Sequence, residues 1–251
     1  MATNIEKLLE TMRILRSPQG CKWDREQTHK SIRENMLEEA YEAIDAINAD
    51  DMKHLKEELG DVLLQVVLHA QIADDNGFFN FDDVACGINE KLIHRHPHVF
   101  SDTKVKDVKE ILSNWEKLKQ EEKPHRKSVL DGISKSQSAL MKAQKISKKA
   151  VRVGFEWQNI EQLKQCVQSE IKEFDEAKTQ AEREEEFGDI MFALVNLARW
   201  NKIDAEQALN IANEKFTKRF KKMEELATKP LTELSFDEWD ELWKNAKKLT
   251  M

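Results

Sequence analysis

The chain has 251 residues, of which 35% are charged and 7% aromatic, with a net charge of −7 and a pI near 5.6. That acidic balance argues against a general nucleic-acid binder with a basic face, and no stretch approaches the roughly 20 apolar residues of a membrane span. Cys21, Cys86 and Cys166 are sparse, odd in number and without a CxxC, which argues against a disulfide framework and fits a reducing cytosol.

Seven Gly and four Pro among many Glu, Lys, Leu and Ala predict an all-α protein. Helix starts are marked by capping boxes at Thr3…Glu6, Ser31…Glu34, Thr179…Glu182 and Ser235…Glu238. The first half reads as helices near 4–16, 29–48, 52–75, 81–95 and 107–121. The amphipathic N-terminus lacks the uninterrupted apolar core of a signal peptide. Ile5, Leu8, Leu9, Met12 and Leu15 make one apolar stripe, and Leu55, Leu59, Val62, Leu63, Val66, Val67 and Ala70 make another. Pro97 should end the fourth helix. Residues 122–136 lack helical periodicity, contain Pro124 and Gly132, and read as a linker. The second half repeats the plan near 137–149, 160–178, 182–201, 204–227 and 235–249. The expected organisation is therefore two related helical domains, 1–121 and 137–251.

The repeat is one of charge. LEEAYEAIDA (37–46), EELGD (57–61), NEKLIHRH (89–96) and Trp115 recur as SEIKEFDEA (169–177), EEFGD (185–189), NEKFTKRF (213–220) and Trp243. Glu39 and Glu42 share one helix face, as do Glu58 and Asp61 on the next helix, and the short connection at 49–51 makes those helices antiparallel neighbours. Four carboxylates facing one gap raise each other's pKa unless a divalent cation removes the repulsion. Oxygen-only ligands suit Mg²⁺, with Mn²⁺ as substitute, rather than zinc. Glu170, Glu173, Glu186 and Asp189 offer the same geometry in the second copy. A single acidic i,i+3 pair is usually a solvated face, but two pairs on consecutive helices, repeated with basic residues in register, point to a metal site.

Gly60 and Gly188 sit between the last Glu and the Asp of each set, where glycine costs about 1 kcal/mol relative to Ala. Close helix packing or a ligand near the backbone are the two compensations considered. Lys91 with Arg95, and Lys215 with Arg219, are i,i+4 pairs suited to phosphate. Trp115 and Trp243 are suited either to stacking on a base or to a core. The HRHPH run at 94–98 invites a zinc reading, yet the second copy has KRFKK there, so those His stand outside the repeated set. The pattern suggests a magnesium-dependent enzyme acting on a phosphate compound. The competing readings are a non-enzymatic helical module that senses nucleotides or docks a protein partner, and a different phosphate enzyme on the same scaffold. A P-loop NTPase is excluded, because no GxxxxGK[ST] occurs.

The EExxE…ExxD helices followed by a Lys/Arg helix resemble the all-α nucleoside triphosphate pyrophosphohydrolases. The tandem arrangement, with CKWDREQTH (21–29) and RHPHVF (95–100), closely resembles the MazG family over essentially the whole chain. The resemblance implies cleavage of nucleoside triphosphates, ATP among them, between the α and β phosphates, giving a monophosphate and pyrophosphate with Mg²⁺. It implies removal of aberrant or surplus nucleotides, and a cytoplasmic homodimer. It makes Glu39, Glu42, Glu58, Asp61, Glu170, Glu173, Glu186 and Asp189 metal ligands, with the catalytic carboxylate among Glu39, Glu42, Glu170 and Glu173. Lys91, Arg95, Lys215, Arg219 and Trp243 become substrate contacts. Within EExxE the copies differ in that Glu38 opens the first and Ser169 takes its place in the second. The C-terminal copy stays a full candidate because its quartet, basic pair and Trp all match, and the N-terminal copy is read as catalytic for other substrates, regulatory or structural.

Overall fold

The structure, a computed structural model, describes residues 2–122 and 127–250. The chain divides into two compact units, Met1–Lys123 and Pro124–Met251. Helices and turns make up the described residues, with no strand among them.

The first unit contains α1 (Asn4–Arg16), α2 (Lys22–Glu26), α3 (Asn35–Asn48), α4 (Met52–Asp75), α5 (Phe81–Arg95), α6 (Pro97–Phe100) and α7 (Val108–Glu121). Thr3 and Glu6 form the expected capping box. The start of α3 corrects the expectation of a helix from residue 29. The Ser31 hydroxyl is used on residues that precede it, accepting from Thr28 N at 2.9 Å and donating to Gln27 Oε1 at 2.8 Å. That closes a turn, and α3 begins at Asn35 without a side-chain cap. The short α2 and α6 were not foreseen. Pro97 follows the end of α5 as expected, and then opens α6 at its first turn, where a missing N–H does no harm.

Tertiary ties explain α2. The Arg16 side chain is 6% exposed; its Nε donates to Asp75 Oδ2 at 2.6 Å. Its Nη1 donates to the carbonyl oxygens of Asp24 and Gln27. One guanidinium thus fastens the ends of α1, α2 and α4. Beneath it, Met12, Ile32, Val67, Leu68 and Ile72 form the core, with Leu8, Leu9, Leu64 and Phe81 packed against them.

The buried face of α4 differs from the predicted stripe. Val67 and Ala70 are buried, but Leu59 and Leu63 are 54% and 37% exposed, while Glu58 and Gln65 are buried. The helix turns a carboxylate inward and leaves part of its apolar strip open.

The second unit contains α8 (Ala139–Arg152), α9 (Ile160–Glu176), α10 (Gln180–Trp200), α11 (Ala205–Leu226), a 3₁₀ turn (Leu231–Glu233) and α12 (Phe236–Leu249). Thr179…Glu182 and Ser235…Glu238 form the expected capping boxes. Leu163, Val195, Met223 and Ala246 are buried, beside a polar interior. There the Ser147 hydroxyl donates to Asn196 Oδ1 at 2.5 Å. Gln144 donates to Ile203 O at 2.7 Å and accepts from Ala205 N at 3.0 Å. Of the expected linker, residues 123–126 lie outside the described residues. Residues 129 and 131 are held to α8, because Lys149 Nζ donates to both of their carbonyl oxygens.

The two units repeat one plan, α1/α8, α3/α9, α4/α10, α5/α11 and α7/α12. The most extensive helix pairing within each is α3 on α4 and α9 on α10. A short connection through Asp50, at φ 52°, joins the first pair. These two helix pairs carry the acidic motifs.

Candidate active site

In the first unit Glu39 comes from α3, and Glu58 and Asp61 from α4. Their carboxylate oxygens lie within 4.8 Å of one another. Glu58 is 5% exposed, and its Oε2 is buried without a hydrogen-bond partner. His54, one turn earlier, touches the other oxygen, Nε2 to Oε1, at 2.8 Å. Gln65 Nε2 approaches Glu39 Oε1 at 3.5 Å. Burial first, and then the charges of Asp61, Glu42 and Glu38, push the Glu39 carboxyl above its ordinary range. Burial and the Glu42 carboxylate push Glu58 up as well, against the opposing pull of His54. Glu42 is exposed and stands beside Glu58, outside the converging trio.

The second unit repeats the trio with Glu170, Glu186 and Asp189, again within 4.8 Å. Burial and the charges of Glu173, Asp189 and Glu170 raise the Glu186 carboxyl. Glu173 lies outside the trio, as Glu42 does, and accepts a hydrogen bond from the Ser169 hydroxyl at 3.0 Å. Ser169 therefore does not copy the Glu38 carboxylate but holds its neighbour. Cys166 Sγ lies 3.6 Å from Glu170 Oε1. Burial and that carboxylate keep its thiol above the usual range, so it is a poor nucleophile.

Among the described residues no Lys or Arg pairs with any of these eight carboxylates. A hard divalent cation fits the donor set on three observations: all donors are oxygens, three converge in each unit, and a buried Glu58 oxygen lacks a partner. Sequence reasoning singled out all eight acids. It missed His54 and Gln65, whose signal was their spacing of four and seven residues from Glu58 on one helix face.

Gly60 and Gly188 are not explained by packing. A Cβ built on either meets nothing within 4 Å. Helix packing within the unit, one of the two compensations considered, is thereby set aside.

The basic residues lie on α5 and α11, which pack beside the acidic helices. The Arg95 guanidinium carbon lies 5.9 Å from the Trp115 ring centre, and Arg219 lies 5.9 Å from that of Trp243. Lys119 Nζ is 4.9 Å from Trp115. Trp243 also meets Phe216 at 5.4 Å, so it is part of an aromatic cluster and not an isolated exposed ring. Lys91 and Lys215 are exposed. Arg95 is engaged by Glu122, a residue that sequence reasoning assigned to the linker. His96 Nδ1 donates to Leu92 O at 2.7 Å, and its ring meets that of His98 at a tilt, consistent with its standing outside the repeated set.

Two helical units, each presenting an oxygen-only acidic trio with a basic helix packed beside it, define an all-α protein of the nucleoside triphosphate pyrophosphohydrolase fold type. Residues 27–100 and 158–223 match the MazG nucleotide pyrophosphohydrolase domain, so the match itself falls once in each unit. The chain is 48% identical to the nucleoside triphosphate pyrophosphohydrolase/pyrophosphatase MazG of Thermotoga maritima, over 96% of this chain and 95% of that protein. It is 43% identical to the nucleoside triphosphate pyrophosphohydrolase of Escherichia coli K12, over 97% of each. It is 48% identical to the YabN protein of Bacillus subtilis, over 94% of this chain and 50% of that one. The chain belongs to the MazG family of nucleotide pyrophosphohydrolases.

Proposed function

We propose that the chain is a Mg²⁺-dependent nucleoside triphosphate pyrophosphohydrolase. It hydrolyses the α–β phosphoanhydride bond of ribo- and deoxyribonucleoside triphosphates, releasing the monophosphate and pyrophosphate, and serves to clear unwanted nucleotides. The observation that carries this reading is the duplication of the acidic trio, each copy with its Lys/Arg pair in register. A docking surface has no need of three converging carboxylates.

Glu39, Glu58 and Asp61 in one unit, and Glu170, Glu186 and Asp189 in the other, would hold the cation. Glu42 and Glu173 complete each set from its edge. Mg²⁺ held there would neutralise phosphate charge and lower the pKa of an attacking water. Glu173 Oε1 is occupied by the Ser169 hydroxyl, which leaves Oε2 to take the proton from that water. Lys215 and Arg219 meet the negative charge that grows on the leaving pyrophosphate. Trp243, with Phe216 behind it, offers a face to the base. Lys91 and Arg95 play the corresponding part in the first unit. The two catalytic-type domains are residues 1–121 and 137–251, joined by 122–136.

The substrates are nucleoside triphosphates, not nucleic acid. No helix among the described residues is long and apolar enough to cross a membrane. Free Cys21, Cys86 and Cys166 are consistent with a cytoplasmic protein. Open apolar faces on the acidic helices support a homodimer.

The test is product analysis with Mg²⁺ and a panel of triphosphates, resolving pyrophosphate from orthophosphate. Monophosphate plus pyrophosphate, lost on adding EDTA, is expected, and Glu173→Ala abolishes the share that the C-terminal unit releases. Orthophosphate release would mean a different bond is cut. Unchanged turnover in Glu173→Ala would remove the C-terminal assignment.

A further inference from the structure

Arg95 and Arg219 hold the same place in the two units, each with its guanidinium carbon 5.9 Å from the tryptophan of the last helix. Their partners differ. Glu122 grips Arg95 with both oxygens, Nε to Oε1 at 2.9 Å and Nη2 to Oε2 at 2.5 Å. Both side chains are shielded, at 16% and 20% exposed. Arg219 makes no hydrogen bond or ion pair among the described residues, and its Nε is buried without a partner.

The difference traces to one position. Glu122 follows Trp115 by seven residues, and seven residues after Trp243 stands Thr250. Thr250 carries no charge, and its hydroxyl donates to Ala246 O at 2.8 Å. A carboxylate and a phosphate offer a guanidinium the same pair of oxygens, so a bidentate Arg–Glu contact occupies the donors that would bind phosphate.

We propose that Glu122 is a resident competitor for phosphate at Arg95, and so a determinant of which unit takes a polyphosphate first. The N-terminal unit binds a triphosphate chain only by displacing Glu122. The C-terminal unit, with Thr250 in that place, presents Arg219 directly. This rests on the reading of the two basic pairs as triphosphate sites. Its consequence is a graded protein, with the C-terminal site filling at low substrate and the N-terminal site at higher concentration.

The experiment is calorimetric titration of the full chain with inorganic tripolyphosphate and Mg²⁺. It is done in a Lys215→Ala/Arg219→Ala background that leaves the N-terminal pair intact. Glu122→Gln and Glu122→Thr are each expected to tighten binding by roughly tenfold, the scale of one charge-assisted contact. Thr250→Glu in an otherwise native chain is expected to weaken the tighter site by a similar factor. Two substitutions at Glu122 guard against one that merely perturbs α7. Binding that is lost in Arg95→Ala but is unchanged or weakened by both Glu122 substitutions overturns this proposal alone. Binding indifferent to Arg95→Ala overturns the phosphate role of the basic pair, and this proposal with it.

Discussion

At the scale of single residues, the two acidic trios make the metal-free protein sensitive to pH in an unusual direction. Glu39, Glu58 and Glu186 have carboxyls raised above the ordinary value of 4.5 in the fold. A raised carboxyl binds its proton more tightly folded than unfolded, so its stabilising contribution is present below about pH 4.5 and is lost as pH climbs through the raised value. Thermal melts in EDTA should therefore fall in midpoint above pH 4.5, and Mg²⁺ should restore the midpoint by binding the ionised set. A midpoint that rises with pH in EDTA would contradict this. Glu58→Gln should raise the EDTA midpoint, abolish the Mg²⁺-induced rise of the first unit and cut any turnover there by about a hundredfold. Gly60 and Gly188 call for a second measurement. A Cβ at either meets open space within the chain. Alanine there should stabilise the isolated chain by roughly 0.5–1 kcal/mol, read from urea midpoints. If turnover drops while stability rises, the glycines are kept for a ligand or a second copy. The acids were legible in the sequence because spacing of three and a two-fold repeat are periodic signals. Glu122 was not legible, because its role depends on a contact 27 residues away across α5 and α7 and on comparison with Thr250.

At the scale of elements, the capping boxes separate local from tertiary control. Thr3, Thr179 and Ser235 cap as their sequence pattern says, because nothing nearby competes for their hydroxyls. Ser31 has the same pattern, but Thr28 and Gln27 take its hydrogen bonds, and α3 starts late. Thr179→Ala should cost about 1 kcal/mol of stability. It also loosens the helix that carries Glu186 and Asp189. Ser31→Ala should not shorten α3, since it removes a turn and not a cap. Urea unfolding with helix content followed by circular dichroism reads both. The missed α2 is the converse case: its five residues have too little periodicity to read, and no side chain caps its start. It exists because Arg16 draws its carbonyl oxygens to the ends of α1 and α4. Arg16→Met, which keeps volume but removes the ties to Asp75 and to the carbonyl oxygens of Asp24 and Gln27, should cost about 2 kcal/mol.

At the scale of the whole molecule, the tandem all-α plan was legible because hydrophobic periodicity and a long-range charge repeat agree. Which apolar residues face inward was not, because α4 has more apolar residues than its own unit can cover. The uncovered ones form a pattern. In the first unit Leu37, Tyr41 and Ile44 on α3 are exposed along one face, as are Leu59 and Leu63 on α4. In the second unit Phe187, Met191 and Leu194 on α10 are exposed at the same helical spacing, with Ile171 on α9. Each acidic helix pair thus brings its trio of carboxylates together and leaves an apolar stripe exposed. A stripe of that length on paired helices is half of a bundle. Gly60, three residues before Leu63, leaves room there for close approach. A homodimer would cover these stripes, and it is expected to form at micromolar concentration and to sediment at about twice the 29.3 kDa chain mass. Leu59→Glu/Leu63→Glu places two charges on the stripe without touching the trio or the core. It should shift the sedimenting species to the chain mass while α-helix content is retained. A native chain that sediments as a monomer at tens of micromolar would remove the dimer, and the glycines' open side would then be left to the ligand.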